Sequence, residues 1–365
     1  MQRFTPQNLR TPGPTPIPDD IVEAMTNPMI NHRGPEFDEL IHKATNQLKQ
    51  VFMTKNDLYI LTASGTGSLE AAIVNTLSPG DRVIAATAGA FGDRFVDMVE
   101  AYGADVKRMD WEWGGPIDPN DIRKALQAEP NIKAVLVTHN ETSTGVTNNL
   151  EAIAKVVKRE NDKLLLVDGI SSVCSIPMET DSWGIDVATS ASQKGWMLPP
   201  GLAFITFSKE AWKAHEQSTM PRFYLDVAEY QRYYEIGQPP FTPSLSCMFA
   251  LDTALQRIEK EGLGSVYERH LSIGQYTRDS MKTLGLELFP TSEDIASNTC
   301  TAVKIPQGLD GSSIIKELRE NHQIVLAGGQ GTLNGKIFRI GHMGLTAEKD
   351  IDHVVDALRA VLPSL

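Results

Sequence analysis

Short apolar runs that alternate with amphipathic stretches most constrain the fold of this chain. The runs are rich in Val, Ile and Leu, and they lie at 58–62, 82–87, 134–139, 164–169, 186–192 and 202–207. Segments with helical periodicity, such as 68–77 and 95–103, lie between them. Strands that are apolar on both faces are typical of a parallel sheet covered by helices on both sides. The pattern predicts an α/β fold with a mainly parallel, doubly wound central sheet.

The pattern divides the chain into an arm and two domains. Residues 1–18 contain five prolines and no helical period, which predicts an extended N-terminal arm. The alternating segments predict a large domain over residues 19–258. After about residue 255 come a polar-faced helix, three short strands and a closing amphipathic helix. This change indicates a smaller C-terminal α+β domain over residues 259–365.

Composition and charge exclude several classes of function. The net charge is −12 and no basic block carries interleaved aromatic residues, which argues against nucleic acid as a partner. No apolar run reaches the ~20 residues that span a bilayer, and the N-terminus has no secretory signal, so we expect no membrane partner. The cysteines are Cys174, Cys247 and Cys300; their odd number and wide spacing favour a reducing cytoplasm over a disulfide framework. HExxH and CxxC are absent, so no metal site is predicted.

The carboxyl ends of the predicted strands carry the candidate functional groups, because ligands of open α/β sheets bind there. Ser64, Gly65 and Thr66 form a small-residue turn before a helix, which suits either a phosphate or an ordinary capped turn. The polar loop 140–145 includes Thr142 and can bind a ligand or simply cap the turn. Asp168 ends one strand and Lys194 follows another; a helix N-cap and a surface lysine are the structural alternatives.

Pyridoxal 5'-phosphate is a cofactor that needs this whole set of groups. Its phosphate needs an anion cup, its ring nitrogen needs a carboxylate, and its aldehyde forms a Schiff base with a lysine. Phe91, which we expect in the loop after the strand 82–87, offers a ring to stack on the cofactor. The large domain is therefore expected to bind this cofactor.

Longer motifs around these residues resemble a known family. They are "TPGPTPIP" at the N-terminus, "SGTGSLEAAIVNTLSPGD", "THNETSTGV", "LLLVDGISS", Ser-Gln-Lys-Gly before "PPGLAFITFS", "FYLDV" and "FRIGHMG". Together they resemble the class V group of fold-type I pyridoxal-phosphate enzymes over nearly the whole chain. The likeness is greatest to the alanine–glyoxylate and serine–pyruvate aminotransferases.

The resemblance implies a role for each matching residue. Lys194 would hold the cofactor and shuttle a proton, and Asp168 would pair with the ring nitrogen. The remaining roles would be phosphate binding by Ser64, Gly65, Thr66 and Gln193, stacking by Phe91, and contact with the ring hydroxyl region by Thr142. Arg339 would bind the substrate α-carboxylate, because a guanidinium offers two parallel charge-assisted hydrogen bonds. A salt bridge within the small domain is the structural alternative for Arg339.

The resemblance also implies a homodimer whose active sites lie at the subunit interface. Residues 237–244 match a stretch that reaches into the partner's phosphate cup, but a Tyr and a Thr of the animal enzymes align with Gln238 and Phe241 here. Gln238 and Thr242 are expected to replace them. His32 and Arg33 lie where relatives send a loop towards the partner's substrate pocket, and a polar dimer contact is their alternative.

The implied activity is a ping-pong transamination between small amino acids and 2-oxo acids. Alanine or serine would be the donor, and glyoxylate or pyruvate the acceptor. Three alternatives stay open. A class V transaminase of phosphonate or phosphorylated substrates would use an extra cation such as Arg33. A cysteine desulfurase-type lyase would need a mobile nucleophilic cysteine. A non-catalytic subunit would keep the fold alone, which the intact Lys194, Asp168 and Arg339 disfavour.

Overall fold

The computed structural model describes residues 7–364. Its strands are β1 (Asn8–Arg10), β2 (Asp57–Leu61), β3 (Arg82–Thr87), β4 (Asp105–Asp110), β5 (Ala134–Thr138), β6 (Asn140–Glu141), β7 (Val146–Thr147), β8 (Leu164–Asp168), β9 (Val187–Ala191), β10 (Ala203–Phe207), β11 (Cys300–Lys304), β12 (Ile324–Gly328) and β13 (Ile337–Gly341). Its α-helices are α1 (Asp19–Ala24), α2 (Pro35–Val51), α3 (Gly65–Thr76), α4 (Ala90–Ala101), α5 (Pro119–Ala128), α6 (Leu150–Ala154), α7 (Thr180–Trp183), α8 (Lys209–Gln217), α9 (Val227–Tyr234), α10 (Leu245–Glu261), α11 (Leu263–Thr283), α12 (Gly311–His322) and α13 (Glu348–Val361). A π-helical segment, Lys155–Glu160, continues α6, and short 3₁₀ turns lie at Gly331–Leu333 and Leu362–Ser364.

The larger sheet has seven strands in the order β2-β10-β9-β8-β5-β3-β4. All of them run parallel except β10, which is antiparallel to both β2 and β9. Because β10 runs backwards, one short loop joins it to β9 at the carboxyl edge of the sheet. That loop, residues 192–202, carries Lys194. The sequence prediction of a mainly parallel α/β sheet is confirmed.

Alternate residues of the central strands enter two apolar cores on opposite faces of this sheet. Val135, Val137 and Val167 pack in one core, whereas Leu136 and Leu166 pack in the other. This period of two places every side chain of a central strand against a helix layer, which explains the continuous apolar runs in the sequence. The doubly wound architecture thus follows from the pattern of the strands.

The smaller sheet has the order β1-β12-β13-β11 and packs against α11, α12 and α13. Its edge strand β1 comes from the predicted N-terminal arm and pairs in parallel with β12, Asn8 opposite Ile324. Residues 1–6 of the predicted arm lie outside the described residues. The proposed boundary between residues 258 and 259 falls in the last turn of α10, and the division into domains stays a prediction.

Across residues 7–364, no helix combines the length and the apolar character needed to cross a membrane.

Candidate active site

A cavity of about 340 Å³ opens at the carboxyl edge of the larger sheet. It brings together most of the predicted cofactor residues: Ser64, Gly65, Thr66, Phe91, Thr142, Asp168, Gln193 and Lys194. Gly13, Pro14, Arg94, Asn140 and Gln330 also line it and were not assigned a role from the sequence. The expectation that ligands bind at the carboxyl ends of the strands therefore led to this cavity. It says nothing about the walls contributed by the N-terminal arm, Gly13 and Pro14, or by Gln330 next to the small sheet.

The small-residue turn before α3 forms one end of the cavity. Ser64 is the N-cap residue of α3, but its side chain makes no capping hydrogen bond. The Ser64 side chain therefore leaves the N–H groups of the first turn uncapped. These groups lie at the end of the helix that carries a partial positive charge. Gly65 is required by close packing, because a Cβ built on it would lie 2.7 Å from Ile170 Cδ1. This end of the cavity suits a phosphate group.

Asp168 ends β8 in the floor of the cavity and is 4% exposed. Its Oδ1 accepts a hydrogen bond of 2.9 Å from the N–H of Ile170. Within residues 7–364, no Lys, Arg or His nitrogen lies within ion-pair distance of its carboxylate. Burial raises the pKa of Asp168 to about 6. A buried carboxylate with this little compensation is stabilised by a ligand that brings a proton to it.

Lys194 lies in the β9–β10 loop and is 8% exposed. Its Nζ donates a hydrogen bond to the carbonyl oxygen of Pro12 and lies 5.9 Å from the centroid of the Phe91 ring. Burial lowers the pKa of Lys194 to about 8, and the negative charge of Asp168 opposes that shift. The amine is thus neutral at a lower pH than an exposed lysine, which suits a nucleophile or a base.

The loop that carries Lys194 is held by bonds to its own ends. Ser192 Oγ donates to the carbonyl oxygen of Pro199 at 2.7 Å and accepts from the N–H of Leu202 at 3.1 Å. Trp196 is fully buried, and its Nε1 donates to Ser190 Oγ at 2.9 Å. Trp196 therefore packs beneath the loop and does not line the cavity.

Phe91 lies in the first turn of α4, so the expectation that it lies in a loop was wrong. The carboxylate of Glu141 accepts hydrogen bonds from the N–H groups of Phe91 and Gly92, at 3.2 and 3.0 Å, and so extends the helix to include Phe91. Arg94, three residues further on, places its guanidinium 5.1 Å from the centroid of the Phe91 ring. The i, i+3 spacing after Phe91 was the signal that could have indicated Arg94 from the sequence.

Arg339 is buried on β13 and joins the small sheet to the polar loop of the cavity. It donates to the carbonyl oxygen of Gly328 from Nε at 2.9 Å and from Nη2 at 2.8 Å, and to that of Thr142 from Nη1 at 3.0 Å. No carboxylate of residues 7–364 pairs with it, so the salt bridge considered as its structural alternative is not formed. Its role towards a substrate stays a prediction.

Comparison with known proteins identifies the family. The family model described as "Aminotransferase class-V" matches residues 8–354. The chain belongs to this family. It is 40% identical to a serine–glyoxylate aminotransferase of Methylorubrum extorquens, with 92% of this chain and 86% of that protein aligned. It is also 43% identical to a protein of Synechococcus named as the small subunit of a soluble hydrogenase, with 98% and 93% aligned.

A solved structure extends the likeness to three dimensions. An alanine–glyoxylate aminotransferase from Nostoc superposes with a TM-score of 0.95 at 32% sequence identity, covering 99% of this chain and 97% of that one. The fold is therefore that of a fold-type I aminotransferase, as the sequence predicted.

The residues predicted to act across a dimer interface do not line the cavity of the same chain. Arg33 is exposed and donates to Gln238 Oε1 at 2.9 Å, and His32 is half-buried beside it. Thr242 is exposed as well. The roles of His32, Arg33, Gln238 and Thr242 stay predictions. Among these four, a hydrogen bond within the described chain connects Arg33 with Gln238.

The three cysteines are free and buried. Burial raises the pKa of the Cys300 thiol to about 11 and that of the Cys174 thiol to about 12. Cys300 begins β11, as its sequence context suggested, and it is fixed in the sheet. Cys174 and Cys300 are therefore buried and lack the acidity that a nucleophilic desulfurase cysteine requires. The part of the chain that the structure describes also holds no cluster of three or more His, Cys, Asp or Glu side chains suited to a metal.

Proposed function

We propose that this aminotransferase uses pyridoxal 5'-phosphate to move an amino group from alanine or serine to glyoxylate or pyruvate. The observation that carries the proposal is that Asp168 and Lys194, a buried carboxylic acid and a buried amine, line the same cavity. The names of the relatives support the choice of small substrates and glyoxylate. Localisation in the cytoplasm is part of the same proposal, and the three free cysteines support it.

The chemistry of the side chains fits this cofactor at three points. The first turn of α3 offers unused N–H groups to a phosphate. Asp168 has no cationic partner within residues 7–364, so a protonated ring nitrogen would compensate its burial. Gln193 lines the same cavity, and its side-chain amide nitrogen can donate a hydrogen bond to a phosphate oxygen.

Each residue then has a defined task. When bound, the cofactor supplies an electron sink for the pair left at the substrate α-carbon. Asp168 would keep the ring nitrogen protonated, and Phe91 would offer its ring for stacking on the cofactor. Lys194 would hold the cofactor at rest and, as a free amine, would accept and return the substrate α-proton. Its pKa of about 8 keeps a useful fraction neutral near physiological pH.

Arg339 is the proposed partner of the substrate α-carboxylate. Its guanidinium already spans from β12 to Thr142 at the wall of the cavity, and each Nη retains an N–H beyond those hydrogen bonds. The positive charge of Arg339 acts on Lys194 and contributes to lowering its pKa.

The proposal includes a homodimer in which the partner completes the phosphate end of the cavity. Gln238 and Thr242 lie outside the cavity of their own chain, and Phe223 and Tyr224 beside Phe241 expose an aromatic surface, Phe223 being 77% exposed. Such a surface is stabilised by burial against a second copy. Sedimentation velocity should give a dimer. Thr242→Ala should weaken cofactor binding without dissociating the dimer.

The two rival activities receive different support. A desulfurase-type lyase would depend on thiols that are buried, as described above. A transaminase of phosphonate or phosphorylated substrates would need a second cation, and Arg94 rather than Arg33 lines the cavity. Because Arg94 could serve as that cation, a transaminase of phosphonate or phosphorylated substrates is one of the outcomes that the following experiment distinguishes.

The visible absorption spectrum of the purified protein tests the proposal. A yellow band that bleaches with L-serine or L-alanine and returns with glyoxylate is expected. A yellow band that ignores both amino acids would discard the substrate pair, and O-phospho-L-serine and 2-aminoethylphosphonate would then be tried. A colourless protein that gains no band with added pyridoxal phosphate would contradict the proposed cofactor.

A further inference from the structure

The N-terminal arm contacts the tip of Lys194, the residue at the centre of the proposed chemistry. Lys194 Nζ donates to the carbonyl oxygen of Pro12, and both groups are buried. Gly13 and Pro14 line the cavity beside that contact. The carbonyl oxygen of Pro12 is the only hydrogen-bond acceptor for this amine among the described residues.

Gly13 leaves space that the lysine side chain occupies. Its φ is +118°, a conformation that residues with a Cβ rarely adopt. A Cβ built on Gly13 would lie 2.7 Å from Lys194 Nζ and 2.8 Å from Cδ and Cε. Any other residue here would therefore push the end of the lysine away from the Pro12 carbonyl.

The arm is fixed on both sides of this contact. Upstream, β1 pairs with β12 of the small sheet, and Asn8 Nδ2 donates to the carbonyl oxygen of Asp350 at 2.8 Å. Downstream, the N–H of Thr15 donates to the carbonyl oxygen of Gln193 at 3.1 Å, and Thr15 Oγ1 donates to that of Lys194 at 3.1 Å. The Pro12 carbonyl is thus held relative to both the small sheet and the loop of Lys194.

We propose that Pro12 and Gly13 are positioning residues for Lys194: the Pro12 carbonyl holds the amine whenever it is free, and Gly13 leaves the space in which it lies. The inference rests on the proposed function, in which the lysine alternates between holding the cofactor and acting as a free base. A free, flexible lysine loses its orientation unless an acceptor fixes it, and a misplacement of about 1 Å can lower a rate ~100-fold. The carbonyl also stabilises the ammonium form, since it can only accept a hydrogen bond.

Gly13→Ala tests the proposal, with Gly285→Ala as the matched control. Gly285 also has a positive φ, +75°, but a Cβ there would meet no atom within 4 Å, so its substitution adds backbone strain alone. The first readout is made on cofactor-free protein: the pH dependence of the rate at which it captures pyridoxal phosphate. The second is the separation of kcat from KM in steady-state transamination.

We expect Gly13→Ala to lower the pH of half-maximal capture by at least about half a unit, because the ammonium form loses its acceptor. It should also lower kcat at least about tenfold while the KM of the amino donor stays within about twofold. Gly285→Ala should match the wild type in both readouts. A Gly13→Ala protein with the wild-type pH midpoint, or with a raised one, would overturn the proposal, as would an unchanged kcat.

Thr15→Val decides the question if Gly13→Ala does not accumulate as folded protein. It removes the hydroxyl that ties the arm to the Lys194 carbonyl but adds no bulk near the amine. A loss of kcat of about threefold at constant KM supports the proposal, and an unchanged kcat overturns it. If wild-type apoprotein captures no cofactor, the proposed function fails and this inference fails with it; normal capture by wild type and both variants alike rejects the inference alone.

Discussion

The two edges of the larger sheet each bury an aspartate, and the two aspartates have different surroundings. At the amino edge, Asp186 accepts hydrogen bonds from Lys158 Nζ, Leu165 N–H and Ser208 Oγ, each at 2.8 Å. At the carboxyl edge, Asp168 accepts one bond, from the N–H of Ile170. Burial raises the pKa of both carboxyls. The comparison shows that the chain itself compensates the burial of Asp186 at the amino edge, whereas it leaves Asp168 at the carboxyl edge with little compensation.

The lysines of the two edges follow the same division. Lys158 pairs with a carboxylate at 2.8 Å, whereas Lys194 has a carbonyl oxygen and no carboxylate within ion-pair distance among residues 7–364. A buried charge without a counter-charge is costly, and proteins retain such groups mainly where they act. Matched substitutions at the two edges should therefore separate activity from stability.

The largest difference is expected between Lys194→Ala and Lys158→Ala. Lys194→Ala should abolish steady-state transamination, because it removes both the attachment point and the base, while the apoprotein stays folded. Lys158→Ala should leave Asp186 buried without its partner and lower the free energy of unfolding by about 3 kcal/mol. Its kcat per folded molecule should match the wild type. Turnover by Lys194→Ala would reject the assignment of the site.

The aspartates give the next largest contrast. Asp168→Asn should lower kcat at least about 100-fold, because the amide cannot keep the ring nitrogen protonated. In apoprotein at neutral pH it should leave the free energy of unfolding unchanged or raise it by up to about 2 kcal/mol, since it removes a poorly compensated charge. Asp186→Asn should lower stability and spare kcat. Chemical denaturation and steady-state assays of the four proteins measure both effects, and a destabilised Asp168→Asn apoprotein would contradict the comparison.

The pH dependence of cofactor capture by apoprotein tests the buried amine directly. Burial lowers the pKa of Lys194 from 10.5 to about 8, so the amine is neutral above about pH 8 and protonated below it. The rate of capture should rise with pH, reach half its maximum near pH 8, and fall about tenfold for each pH unit below that. Asp168→Asn should lower the midpoint, because the Asp168 charge raises the pKa of Lys194, and Asp186→Asn should not. A midpoint near that of an exposed lysine would show that the amine is hydrated.

Stopped-flow absorption measures this capture without any amino acid present. The free energy of unfolding should also depend on pH. Between about pH 8 and pH 10.5 the unfolded chain binds a proton at Lys194 that the native apoprotein does not bind. The Lys194 contribution to stability therefore rises with pH across that window. Lys194→Met should remove this dependence.

The sequence predicted the apolar strands of both sheets and missed the edge strands β1 and β4 and the two-residue strands β6 and β7. β4 escaped because it is an edge strand whose residues, Asp105–Asp110, are mostly charged and pair only with β3. β1 escaped because its three residues have no periodicity of their own and pair with β12, more than 300 positions away. Edge pairing is decided by tertiary contacts, for which a local pattern carries no information.

The candidate site could be predicted from the sequence for residues that directly follow buried strands. Asp168 and Lys194 follow buried strands, and the carboxyl ends of those strands share one edge, so their proximity follows from topology. The contact between Pro12 and Lys194 could not be derived in this way, because an arm without regular structure can lie anywhere on the surface. Arg94 was missed since its position depends on where α4 begins, and the buried Glu141 determines that start.

The smallest expected effect compares two phenylalanines, Phe91 at the carboxyl edge and Phe207 at the amino edge. Phe91→Leu should weaken the binding of pyridoxal phosphate about fivefold, because it removes ring stacking worth ~1 kcal/mol while keeping an apolar side chain. Phe207 is fully buried at the end of β10, so Phe207→Leu should lower the free energy of unfolding by about 1 kcal/mol and leave cofactor affinity unchanged. Fluorescence titration of the apoproteins gives the dissociation constants, and urea denaturation gives the stabilities. Equal cofactor affinity in wild type and Phe91→Leu would mean that the ring of Phe91 serves the packing of α4 rather than the ligand, and would move the stacking role to another wall of the cavity.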